Sequence, residues 1–169
     1  SGRKLVETSV ISSLRRNDVV QRVKKACEDG RQAYWVCTLI EESDVFEAEA
    51  AEAIAKELRL VLPKLSIGLI HGRLKAGEKI SIMEQFKSKK IHLLVATTVI
   101  EVGVDVSNAS LMIIENSERL GLSQLHQLRG RVGRGSDQSY CVLLYNSNMS
   151  QKSKERLKIM RETSDGFEL

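Results

Sequence analysis

The chain has 169 residues, a mass of 18.9 kDa, 42% apolar and 28% charged residues, and a net charge of +4. Those figures describe one globular domain with a full core and exclude disorder; no stretch reaches the roughly 20 unbroken apolar residues of a membrane helix. A pI near 9.0 is compatible with a polyanionic partner. Aromatics at only 4% count against a surface built for stacking single-stranded bases.

No long apolar block follows Arg3 and Lys4, so nothing reads as a signal peptide, and Ser1-Gly2 has the look of a cloning remnant. Short apolar runs then alternate with helical patterns. The runs are Thr8–Ile11, Ala33–Cys37, Ile67–Ile70, Leu93–Ala96, Leu111–Ile114 and Cys141–Tyr145. Several lack period-two alternation, as strands covered on both faces do. The first helix carries Val20, Val23 and Cys27 on one stripe, with Asn17 as its expected N-cap. In the second, Ala51, Ile54, Leu58 and Val61 form the stripe, Asp44 and Glu47 mark the start and Pro63 the stop. Ile80, Met83 and Phe86 define a third; Leu122, Leu125 and Leu128 a fourth. A charged helix over Ser150–Thr163, with Leu157 and Met160 on one face, closes the pattern, and the chain then stops without a closing signal.

Strand–helix alternation predicts right-handed crossovers and an α/β, three-layer domain, its mostly parallel sheet covered by helices on both faces. The domain is expected to run over residues 1–146, with 147–169 opening a further helical element. Cys27, Cys37 and Cys141 are odd in number and lack C-x-x-C spacing. They read as small buried hydrophobes in a reducing compartment, and no metal site is expected.

Gln127-Leu128-Arg129-Gly130-Arg131-Val132-Gly133-Arg134-Gly135 is the most informative segment. Arg131 and Arg134 are expected to project to one side, as two guanidinium forks suited to phosphate oxygens. The competing reading is a solvated basic surface. Against it stand the glycines, each costing a helix about 1 kcal/mol. In a second segment, Leu93 to Asp105, a buried strand is expected to deliver Thr97, Thr98, Gly103 and Asp105 to the sheet's carboxyl edge. A helix start and a turn cap would use the same residue types. His71-Gly72, just past another strand, are open to a phosphate contact or to local satisfaction of the ring. The chain has no G-x-x-x-x-G-K-[ST] loop and no acidic pair for Mg²⁺. Arginines that seek phosphate without a phosphate cradle make half a site, so the other half is expected from another domain or chain and the fragment alone is expected to be catalytically inactive.

At these residues the chain resembles the second RecA-like motor domain of superfamily 2 helicases. Gln127–Arg134 matches motif VI, Q-x-x-G-R-x-G-R; Ala96–Asp105 matches motif V; Trp35–Ser43 with His71-Gly72 resembles the motif IV region. The likeness, from about Leu5 to Phe167, is strongest to the ATP-dependent branch-migration DNA helicases of bacteria, cytoplasmic proteins of recombination and repair. It implies Arg134 as arginine finger, with Arg131 beside it at the nucleotide's phosphates and Gln127 near the attacking water. It further implies Gly103 and Asp105 at the nucleotide and Thr97, Thr98, His71 and Gly72 toward DNA. The cofactors implied are ATP and Mg²⁺, the metal held mainly by an N-terminal motor domain. The partners implied are that domain and branched double-stranded DNA, with no membrane; a monomer is expected separately, because no exposed apolar helix face stands out in the sequence. Ser107 and Ser117 stand where the family often has proline. Two alternatives stay open: the motor domain of a transcription-repair coupling factor, and a non-catalytic basic module that binds nucleic acid or protein.

Overall fold

The computed structural model describes residues 5–38, 44–97, 106–135 and 138–163. In chain order its elements are β1 (Val6–Ser12), α1 (Arg16–Glu28), β2 (Gln32–Cys37), α2 (Asp44–Val61), β3 (Ile67–Ile70), α3 (Ala76–Lys87), β4 (Leu93–Thr97), β5 (Ala109–Ile114), α4 (Leu122–Arg129), β6 (Ser139–Tyr145) and α5 (Gln151–Glu162). The six strands form one sheet in the order β1-β6-β5-β2-β4-β3, and every pairing is parallel. The expected strand–helix alternation is thus realised as a sheet without an antiparallel edge.

Side-chain alternation explains why the strands read as continuous apolar runs. Along β2, Ala33, Trp35 and Cys37 pack with Val20 and Val23 of α1 and Ala51 and Leu58 of α2. The intervening Tyr34 and Val36 pack with Met83 and Phe86 of α3, Leu125 and Leu128 of α4, and Leu157 and Met160 of α5. Both faces of the sheet are covered, and both must be apolar. Trp35 is fully buried, and the three free cysteines are buried as well. Burial pushes the Cys27 and Cys141 thiols up to about 12, and that of Cys37 higher still.

Some helix expectations shift by a residue or a face. Asn17 does not cap α1: a 3-10 turn over Ser13–Arg15 precedes the helix, and the Ser12 hydroxyl caps that turn by accepting from the Leu14 amide at 3.2 Å. Ile80 is 61% exposed, because the buried arc of α3 is centred between Met83 and Phe86 and its other flank is filled by Ile82. Val61 turns outward for a similar reason, Leu62 taking the inner place beyond the end of α2. Val45, Phe46, Leu60 and Val61 leave the two ends of α2 with exposed apolar groups, so the premise that no helix shows an apolar face does not hold. α5 begins as expected, the Ser150 hydroxyl accepting from the Ser153 amide at 3.1 Å. Among the described residues no helix is long and apolar enough to cross a membrane.

Candidate functional site

α4 sorts the three arginines of the Gln127–Gly135 segment by burial. Arg129 is 1% exposed and points inward, whereas Arg131 is half-buried and Arg134 exposed. Only Arg guanidinium could serve at position 129: one nitrogen donates to Thr8 Oγ1 at 3.1 Å, the Met160 carbonyl at 3.0 Å and the Thr163 carbonyl at 2.9 Å. The other lies 3.1 Å from His126 Nδ1, which must be the acceptor, since guanidinium has no lone pair to offer. Gln127, between these inward residues, lies on the exposed side of α4.

Beyond α4 the loop is pinned by Val132, which is fully buried. The Arg131 amide closes onto the Leu128 carbonyl at 3.0 Å and the Val132 amide onto Arg129 at 3.3 Å. Gly133 then adopts φ 89°, a left-handed conformation that an L side chain resists, and releases the chain outward at Arg134. Gly135 is pressed against the backbone of Ser107; a Cβ there would overlap the Ser107 carbonyl oxygen. This contact joins the end of the motif VI segment to the residues that follow Asp105.

The sheet has a carboxyl edge and an amino edge, and one expectation about them must be corrected. Thr97 ends β4 at the carboxyl edge, but β5 starts at Ala109 and runs parallel to it. The chain therefore has to return to the amino edge between them. Val106, the residue after Asp105, already belongs to the turn opening β5, its carbonyl accepting from the Ala109 amide at 3.0 Å. Parallel pairing thus places Thr97 at the carboxyl edge and Val106 at the amino edge. Thr98, Gly103 and Asp105 themselves lie outside the described residues.

At the carboxyl edge, Thr97 is 2% exposed and His71 6% exposed, while Gly72 is open to solvent. His71 Nδ1 accepts from the Arg73 amide at 3.1 Å, and Nε2 lies 3.3 Å from Glu52 Oε1. The ring is thus engaged at both nitrogens and shapes the Gly72-Arg73 turn. The sequence reading missed a polar cluster at this edge. Glu115 accepts from Trp35 Nε1 at 2.7 Å and from Arg16 at 2.8 Å, and Arg16 reaches Glu57 at 2.6 Å while lying 5.1 Å from the Trp35 ring. Burial opposes the Arg16 charge, but hydrogen bonds to Glu115 and Glu57 outweigh it and raise its pKa. Asn116, at φ 51°, donates to the Thr38 carbonyl at 3.2 Å and accepts from Asn146 at 2.5 Å, tying β2, β5 and β6 together. The polar residues after each strand were the available signal; their pairing over 99 or 30 positions was not.

Among the described residues no group of three or more His, Cys, Asp or Glu side chains is placed to hold a metal ion. What the amino edge offers is cationic: an exposed guanidinium at Arg134, set on a pinned loop.

This parallel sheet, with its arginine loop between α4 and β6, is the architecture of a helicase motor domain. A family model, the helicase conserved C-terminal domain, matches residues 16–136, and the chain belongs to that family. Over 167 residues it is 62% identical to the ATP-dependent DNA helicase RecG of Escherichia coli (strain K12), covering 98% of this chain and 24% of that protein. The RecG of Pasteurella multocida (strain Pm70) is 64% identical over the same length, again covering 98% and 24%. The solved structure of RecG bound to a three-way DNA junction superposes with a TM-score of 0.82 at 41% identity, covering 98% of this chain and 21% of that one. The yeast DEAD-box splicing factor Prp28, at 15% identity and a TM-score of 0.71 over 95% of this chain and 33% of its own, shares the RecA-like fold. The chain spans about a quarter of the length of the curated relatives it matches.

Proposed function

We propose that this is the second motor domain of a RecG-type ATP-dependent DNA helicase. The parent protein would act as a cytoplasmic monomer on branched double-stranded DNA, at stalled forks and Holliday junctions, in recombination and repair. The names of the relatives support that reading, and so does the contact of Gly135 with Ser107, which sets the exposed Arg134 beside the segment that follows Asp105.

ATP would lie between the amino edge of this sheet and a first motor domain that carries the phosphate cradle. Arg134 is the arginine finger, meeting the charge that develops on the transferring phosphoryl group, with Arg131 beside it and Gln127 orienting the attacking water. Gly103 and Asp105 contact the nucleotide. Mg²⁺, held mainly by the first domain, would neutralise phosphate charge when bound. At the opposite edge Gly72 faces the DNA track and Thr98 would contact it, while Thr97, 2% exposed, and His71 support that edge from within. The motor ends near Asn146; residues 147–169 open the helical element that follows, and α5 is fastened to α4 through Arg129.

The test is Arg134→Ala in the full-length protein. Loss of an arginine finger lowers DNA-stimulated ATP turnover by roughly 10³-fold or more, with affinity for a three-way junction retained. Unchanged turnover with weakened DNA binding would favour the non-catalytic basic module.

A further inference from the structure

A groove of about 610 Å³ opens at the amino edge, beside the Gly135–Ser107 contact, between the end of α1 and the first residues of β5 and β6. Arg22, Lys25, Asp29, Arg31, Asn108 and Tyr140 line it. Among the described residues no carboxylate pairs with Arg22, Lys25 or Arg31. Arg22 instead stands 5.8 Å over the Tyr140 ring, and Arg31 reaches only the Gln138 carbonyl, at 3.5 Å. Three cations facing one groove repel each other, with Asp29 the one acidic residue in its lining.

The groove's character narrows its occupant. The amides of Gly30 and Arg31 are already spent on the carbonyls of Cys27, at 3.0 Å, and Ala26, at 2.9 Å, so the groove offers side-chain cations but no backbone phosphate cradle. Asp29 would repel a run of phosphates, whereas a protein surface of mixed charge can pair with it. DNA tracking the carboxyl edge is distant, because strands of this length span roughly 17–20 Å. We propose that the groove is a latch: it receives carboxylate side chains of the first motor domain when the two domains close on ATP. The proposal rests on the two-domain reading above and adds a surface to it. Arg22, Lys25 and Arg31 act as positioning residues, stabilising the closed state without touching nucleotide. Asn108, donating to the Gly30 carbonyl at 2.9 Å and to Gln32 at 3.0 Å, holds the groove wall rigid.

The experiment compares the full-length protein with an Arg22→Ala/Lys25→Ala/Arg31→Ala variant and with Lys25→Glu alone, at saturating three-way junction. Loss of three partly exposed pairs raises the KM for ATP about tenfold. Lys25→Glu moves it in the same direction, and the wild-type KM climbs toward the variant's as salt screens the latch. The affinity for junction DNA, and its salt slope, stay as in the wild type. An unchanged KM in both variants, with the wild type active, overturns the latch and leaves the motor reading intact. A shallower salt slope of DNA affinity also overturns it, making the groove a phosphate site. A wild-type protein without DNA-stimulated turnover sinks the two-domain reading and the latch with it.

Discussion

The Arg129 guanidinium donates to the Thr163 carbonyl across 2.9 Å, joining the last residue of α4 to the residue that ends α5. One buried charge thereby fixes the exit of the arginine loop relative to the helix at the far end of the chain.

Replacing Arg129 with Lys keeps the charge but not the fork. An ammonium cannot reach Thr8, Met160, Thr163 and His126 together, so buried acceptors lose their donors. We expect a loss of about 3 kcal/mol, seen in urea unfolding as a lower midpoint with an unchanged slope. A midpoint equal to wild type would show that the network carries no stability.

Which arginine of the motif was structural could not be seen in the sequence. Periodicity placed Leu125 and Leu128 inward and would have placed Arg129 next to them, but charge argued for the surface, and the partners of Arg129 lie up to 121 positions away. The strands were legible because a parallel sheet buried on both faces leaves apolar runs that nothing else explains. The edge on which Asp105's neighbours sit was not, since it depends on the strand order rather than on the strand's own residues. Ile80 failed for a smaller reason: three apolar residues at i, i+3 and i+6 fix a stripe only to within one flank.

Two glycines with opposite surroundings test the packing at the amino edge. Gly135→Ala forces a Cβ onto the Ser107 carbonyl, a backbone atom that cannot swing aside. Overpacking of this kind costs about 1–3 kcal/mol and should lower ATP turnover in the full-length protein by displacing Arg134. Gly77→Ala, in α3 with nothing within 4 Å of the new carbon, should instead stabilise by about 0.5–1 kcal/mol. Equal thermal midpoints for the two variants would contradict the close approach at Ser107.

Lys89 sits at φ 67°, one residue beyond the C-cap of α3, in the left-handed conformation that glycine adopts without cost. Its neighbour's amide closes the helix end onto the Gln85 carbonyl at 2.8 Å, so the conformation is required. Lys89→Gly should gain about 0.5–1 kcal/mol, after allowing for the greater freedom of the unfolded chain. A chain of this size would then melt roughly 2–4 °C higher per kcal/mol gained. A lower melting temperature would mean that the lysine side chain makes a contact worth more than the strain.

The buried thiols set a window of pH sensitivity. Cys27 and Cys141 are raised from 9.0 to about 12 by desolvation, so the fold favours their protonated forms. Below pH 9 both folded and unfolded chains hold these protons, and the thiols add no pH dependence. Between about 9 and about 12 the unfolded chain ionises first, and stability falls as pH rises. A Cys27→Ala/Cys141→Ala variant should therefore show a flatter loss of stability above pH 9 than the wild type, measured by urea unfolding at each pH. In the native protein at pH 8 iodoacetamide should label neither thiol on the timescale that labels both in denaturant. Rapid native labelling would show that the sheet opens locally around β6 or α1 far more often than its packing allows.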